Sequence, residues 1–170
     1  MDRFDDCPET TQHWHRNGRG AVLATVVETW GSAPRRVGAQ LAISGDGHMR
    51  GSVSGGCVEG AVILEAQDAL EKGEMRLLEY GVSDDDAFAV GLACGGTIRV
   101  LVEPVGAVLP ENVLDQIVAA RAARQAVAYE VNTESGARRV ITTGHADRFR
   151  LDRSGFEEDG QTFVAIHNPP

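Results

Sequence analysis

Ten residues, Gly51-Ser-Val-Ser-Gly-Gly-Cys-Val-Glu-Gly60, hold four glycines, two serines and a cysteine directly before a helical pattern. The run has too little apolar surface to build core. It is suited to bringing bare backbone close to another group. With a helix starting near Cys57, the first-turn N–H groups have no intrahelical partner, and the helix dipole favours an anion by ~0.3–1 kcal/mol. Ser52 and Ser54 add hydroxyl donors, and Gly55 and Gly56 permit close approach. Cys57 in that setting is expected to be a reactive thiol, with a pKa below the free value of about 8.5. Glu59 in the same turn opposes an anion. Its carboxylate either caps the free N–H groups or accepts a hydrogen bond from a neutral ligand group. A second reading stays open, a strained turn with Cys57 as a small buried hydrophobe.

Two further clusters carry similar chemistry. Gly31-Ser-Ala-Pro-Arg-Arg36 follows an apolar run, and strand-end loops are where binding groups tend to sit. Gly31, Ser32 and Pro34 shape a turn from which Arg35 and Arg36 can offer guanidinium forks to phosphate or carboxylate. The same arginines can also be solvated surface charge. Gly91-Leu-Ala-Cys-Gly-Gly96 repeats the theme, with Cys94, Gly95 and Gly96 before a strand. There Cys94 can equally be a buried thiol before a bulge. No Walker ending, GxGxxG spacing, CxxC or HxxxH occurs. Cys57 and Cys94 lie far apart and a closed zinc site needs four ligands, so no metal site and no catalytic residue is assigned.

The elements that must position these clusters read as follows. Glu9 to Asn17 is a short helix anchored by Trp14. Ala21 to Val27 is a buried strand, Gln40 to Ser44 a second, and His48 to Val53 its hairpin partner across Gly45-Asp-Gly47. Val58, Val62, Ala66, Ala69 and Leu70 recur at helical spacing up to Lys72, with Gly73 as C-cap. Ile63 and Leu64 widen that stripe toward a well-buried helix. Met75 to Tyr80 and Thr97 to Glu103 are strands, the latter alternating and ended by Pro104. Ser83 to Asp86 is an acidic loop or cap. Pro110 to Arg124 is a helix. Gln125 to Asn132, Arg138 to Thr142, Arg148 to Asp152 and Gln161 to His167 read as strands. The class is α+β, a mixed β-sheet with two to three helices in a single domain and no Rossmann domain. The whole of 1–170 forms it, with a motif-bearing core at about 20–105 and a helix and hairpins over 106–170.

Composition sets the outer bounds. Among 170 residues, 25 are acidic and 16 basic, a formal net charge of −9, which argues against a sequence-independent nucleic-acid binder. Three cysteines are too few and too scattered for a disulfide framework. The acidic N-terminus lacks an apolar signal region, and no apolar run is long enough to span a bilayer. These features imply a cytoplasmic protein with reduced thiols and no membrane partner.

Taken together and in order, Thr25-Val-Val-Glu-Thr-Trp-Gly-Ser-Ala-Pro-Arg-Arg36, Gly51-Ser-Val-Ser-Gly-Gly-Cys-Val-Glu59 and Gly91-Leu-Ala-Cys-Gly-Gly96 closely resemble the XdhC/CoxI family. These are maturation factors of molybdenum hydroxylases such as xanthine dehydrogenase. The resemblance runs from about Val22 to Pro104. It implies a chaperone and not a turnover enzyme. Such a protein binds molybdenum cofactor transiently, as molybdopterin or its dinucleotide form, assists its sulfuration and passes it to the apo-hydroxylase. A sulfurtransferase (cysteine desulfurase) is the implied second partner. On this reading Arg35, Arg36 and the loop N–H groups hold the anionic end, and Cys57 and Cys94 lie near the dithiolene or the transferred sulfur. Two alternatives remain: a thiol enzyme with Cys57 as nucleophile, and a cofactor-free scaffold bridging sulfurtransferase and hydroxylase. Many members carry a second, Rossmann-like domain. Its lack here leads to the expectation of a homodimer or a separate Rossmann-type partner.

Overall fold

A computed structural model describes residues 6–81 and 96–170. Four helices are present among them, α1 (Cys7–Arg16), α2 (Glu59–Lys72), α3 (Glu111–Ala122) and α4 (Ala146–Leu151). The strands are β1 (Ala21–Trp30), β2 (Gln40–Ser44), β3 (Met49–Gly51), β4 (Arg76–Gly81), β5 (Thr97–Pro104), β6 (Val127–Asn132), β7 (Arg138–Ile141), β8 (Gly155–Phe156) and β9 (Thr162–His167). The α+β class holds. The sheets are two, however, ordered β3-β2-β1-β5-β4 and β7-β6-β9-β8, and every ladder in them is antiparallel. That departs from the single mixed sheet expected from the sequence.

The continuous apolar run of β1 is explained by burial on both faces. Val22, Ala24 and Val26 point into a core with Val58, Val62, Ala66 and Ala69 of the α2 side. Ala21, Leu23 and Val27 point the other way, into a core with Trp14, Leu114, Ile117, Tyr129 and Phe163. The first sheet is therefore the middle layer, with α2 on one face and α1, α3 and the second sheet on the other. Each fully buried Val, Leu or Ile contributes ~1.5–3 kcal/mol, so a strand buried on both faces ties the two cores together. β5 behaves alike, and its alternation gives way to full burial from Val100 onward.

A buried polar tie joins the two sheets. Glu103 of β5 accepts from Tyr129 Oη at 2.6 Å and from Arg138 Nε at 3.0 Å. Burial raises the Glu103 carboxyl, against the pull of the Arg138 guanidinium. Burial likewise raises the Tyr129 phenol, helped by the charge of Glu103. No local pattern in the sequence announces this group, whose members come from three strands.

Two readings of the sequence are corrected. Arg148 to Asp152 is the end of helix α4 and not a strand, which makes the helices four. Its six residues are too few for a periodicity to show, and the left-handed His145 and Asp152 that bound it are not glycines. Leu64 is 71% exposed, so the stripe of α2 is narrower than its apolar sequence suggests. β1 runs on to Trp30, through a register shift between Val26 and Glu28. The Ser83 to Asp86 segment lies outside the described residues.

Candidate functional site

Two of the sequence clusters, together with Gly96 at the described end of the third, meet at one end of the first sheet. The loop after β1 turns at Gly31, whose φ of +67° is left-handed. Its course is set against Gly96, just before β5. A Cβ on Gly96 would lie 2.7 Å from the Ser32 carbonyl carbon and oxygen and 2.9 Å from the Ala33 nitrogen. Only a glycine admits two backbones at that distance. A Cβ on Gly55 would lie 3.7 Å from the Pro34 side chain, which brings the second cluster against the first. The bulge in β1 beside this end is of the kind that re-aims strand ends at functional loops. Cys94 and Gly95 lie outside the described residues, and Gly96 stands for their cluster.

The Ser52–Glu59 loop is closed from within. Glu59 is 5% exposed. Its Oε2 accepts from the N–H groups of Val53 at 2.9 Å and Ser54 at 2.8 Å and from Ser52 Oγ at 3.0 Å. Its Oε1 accepts from the Gly56 N–H at 2.9 Å and from Ser54 Oγ. The Gly55 N–H donates to Ser52 Oγ and the Val58 N–H to Ser54 Oγ. Burial opposes ionisation of Glu59, but the hydrogen bonds from Ser54, Val53 and Ser52 outweigh it and bring the carboxyl down to about 2. Of the two roles open to Glu59, it takes the capping one. Donors expected to serve an external anion or a Cys57 thiolate are engaged by this carboxylate.

The helix also begins later than expected. Val58 is its N-cap and Glu59 its first residue, so Cys57 stands just outside it. Cys57 is a free, exposed cysteine. Gly55 and Gly56 are exposed beside it, whereas Ser52 and Ser54 are buried. Ser52, Ser54 and Glu59 thus form a brace, and Gly55-Gly56-Cys57 is what the brace presents. Gly31, Ser32 and Arg36 are exposed and Arg35 is half-buried. Arg36 reaches Asp152 at 3.4 Å with 82% of its side chain exposed. Cys7, by contrast, is buried, and burial pushes its thiol up to about 11.

Residues absent from the sequence reading join the arginines. A cleft of about 320 Å³ is lined by Arg35, Arg36, Gly38, Arg121, Gln125 and His167, among others. Arg121 was legible only as part of the α3 pattern and His167 only as a strand end. Some 85 to 130 residues separate them from Arg36, so no spacing rule could have linked them. Among the described residues no group of three or more His, Cys, Asp or Glu is placed to hold a metal ion. No helix among them is long and apolar enough to cross a membrane.

Comparison with known proteins bears on the same segment. Residues 14–81 match the XdhC and CoxI family. The chain is 40% identical over 94 residues to the molybdenum cofactor insertion chaperone PaoD of Escherichia coli (strain K12), covering 55% of this chain and 29% of that protein. It is 36% identical over 87 residues to a probable xanthine dehydrogenase subunit of Bacillus subtilis (strain 168), covering 50% of this chain and 26% of that one. The crystal structure of a xanthine dehydrogenase from Bacillus halodurans aligns with a TM-score of 0.73 at 25% identity, over 95% of this chain and 52% of that chain. The chain thus matches less than a third of the length of these curated relatives.

Proposed function

We propose that this chain, which carries the XdhC and CoxI family segment over residues 14–81, is a maturation factor that holds molybdenum cofactor for a xanthine dehydrogenase-type hydroxylase. One observation carries the reading. Two loops distant in sequence and the residue before β5 converge through glycine contacts, Gly96 on Ser32 and Ala33, and Gly55 on Pro34. The product of that convergence is a surface of bare backbone, one exposed thiol and two arginines. These residues fit the group. A pterin is flat and needs close backbone approach, its dithiolene sulfurs are soft like Cys57, and its phosphate suits guanidinium forks.

In this mechanism Gly31, Ser32, Gly55 and Gly56, all exposed, let the cofactor lie against main chain, while the buried Gly96 lets the Ser32 loop close against the start of β5. Glu59 with Ser52 and Ser54 keeps the Cys57 loop in shape before anything binds, so little ordering entropy is lost on binding. Cys57 faces the soft end, and Arg35 and Arg36 face the anionic end. When bound, the cofactor supplies the molybdenum and sulfur chemistry of the client enzyme. The chain's part is to hold it, to keep that face accessible for sulfuration by a sulfurtransferase, and to release it to the apo-hydroxylase.

The test is anaerobic mixing of the full chain with molybdenum cofactor, followed by retention on a sizing column and by activation of an apo-hydroxylase. Retention is expected, and Arg35→Ala is expected to weaken it by one to two decades, the equivalent of a charge-assisted hydrogen bond of ~1.5–3 kcal/mol. Hydroxylase activation without any retention would replace this reading with a cofactor-free scaffold. A covalent adduct on Cys57 that accumulates during turnover would replace it with a thiol enzyme.

A further inference from the structure

The cleft behind Arg35 and Arg36 has a second wall, built by the end of α3 and the end of β9. It comprises Arg121, Gln125 and His167, and it faces the arginine loop across about 320 Å³. This is at the lower edge of the ~300–1,000 Å³ typical of small-ligand sites. Its charge runs against that of the whole molecule. Three of its lining residues are arginines and one, Asp152, is a side-chain carboxylate, in a chain of net charge −9.

The second wall is also preorganised. Arg121 Nε donates to Glu9 Oε2 at 2.8 Å, and its Nη1 lies 3.2 Å from His167 Nδ1. His167 is 8% exposed. Burial, and then the charge of Arg121, lowers its pKa to about 4, so the ring is neutral at pH 7. With Nδ1 accepting from Arg121, the ring proton sits on Nε2. That Nε2–H has no hydrogen-bond partner among the described residues. A ring N–H without a protein partner, on a residue lining a cleft with three arginines, is a donor that a ligand oxygen can complete.

We propose that this cleft is a phosphate site, taking a phosphate monoester or pyrophosphate group. Arg35 and Arg36 approach it from the first wall, and Arg121, Gln125 and the His167 Nε2–H from the second. Phosphate is preferred over a carboxylate because donors converge on it from two walls, and only a tetrahedral anion offers oxygens in both directions. The proposal deepens the reading of the protein as a cofactor carrier and rests on it for its biological meaning. It assigns the cofactor's anionic tail to this cleft, whose lining includes Arg35 and Arg36 but not Cys57.

The experiment is calorimetric titration of the full chain with inorganic phosphate, pyrophosphate and cytidine monophosphate in turn, with no molybdenum present. Binding of at least one of these is expected. Arg36→Gln and Gln125→Glu should each weaken it tenfold or more. Both positions are exposed, so the fold is not at stake. Arg150→Gln removes the same charge outside the cleft and should change affinity less than twofold. Tighter binding of the nucleotide than of pyrophosphate points to a dinucleotide tail, and the reverse order to a terminal phosphate. No binding by the unaltered chain, or equal losses for Arg36→Gln and Arg150→Gln, overturns the site. Pyrophosphate binding without cofactor retention would keep the cleft and sink the carrier reading. Retention unmoved by Arg36→Gln and Gln125→Glu, without pyrophosphate binding, would do the opposite.

Discussion

The Ser52–Glu59 loop and the Arg35–His167 cleft are both rich in hydrogen-bond donors, yet they use them in opposite ways. In the loop, three backbone N–H groups and two hydroxyls turn inward on Glu59, one buried carboxylate supplied by the same ten residues. In the cleft, donors from distant elements face a shared space holding one side-chain carboxylate among its lining residues. A glycine- and serine-rich loop before a helix therefore need not be an anion site. What decides is whether the chain brings its own anion. Here Glu59 turns a would-be binding loop into a stand for Cys57, and in the proposed function the binding of external anions is assigned to the arginines instead.

Removing the internal anion should have the largest effect. Glu59→Gln puts an amide NH₂ among donors that need an acceptor, and should destabilise the fold by ~2–4 kcal/mol, or roughly 5–15 °C in Tm. The carboxyl, normally at 4.5, is held at about 2 in the folded chain. Its stabilisation is therefore complete above pH 4.5, declines as pH falls, and is gone below about pH 2. Urea unfolding of both proteins between pH 2 and 6 should show the gap narrowing toward acid. A gap that ignores pH would mean that Glu59 is not the ionised cap.

Loop convergence is the next feature to break. Gly96→Ala drives a Cβ to 2.7 Å from Ser32 backbone and 2.9 Å from Ala33, and should cost ~1–3 kcal/mol as an overpacked contact. Gly60 supplies the contrast, since a Cβ there meets nothing within 4 Å and the position is helical. Gly60→Ala should be neutral or stabilising by up to ~1 kcal/mol. Thermal melts of the pair separate a glycine needed for closeness from one that is not. Equal melting temperatures would remove the closeness argument.

The smallest effect belongs to the exposed thiol. Cys57→Ser should change stability by no more than ~0.5 kcal/mol, since it removes no packing. Iodoacetamide on the native chain, followed by peptide mass mapping, should label Cys57 and spare Cys7, which is 1% exposed and whose thiol burial pushes up to about 11. Labelling of Cys7 at the same rate would show that α1 does not stay packed against β2.

Much of this was set locally and is legible in the residues. The β-branched run at Ala21–Val27, the 3.6-residue stripe ending at Gly73, and the Gly45-Asp-Gly47 turn each declare their element, because propensity and periodicity act within one segment. The three motif clusters are legible for the same reason, and so are both roles open to Glu59. Only the tertiary structure chose between those roles, since the choice depends on whether Ser52, Val53 and Ser54 fold back over the start of α2. It alone split the strands into two sheets, because pairing partners are a matter of long-range burial. It alone set Arg121 and His167 opposite Arg36, since groups that far apart along the chain are joined by packing, on which spacing in sequence is silent.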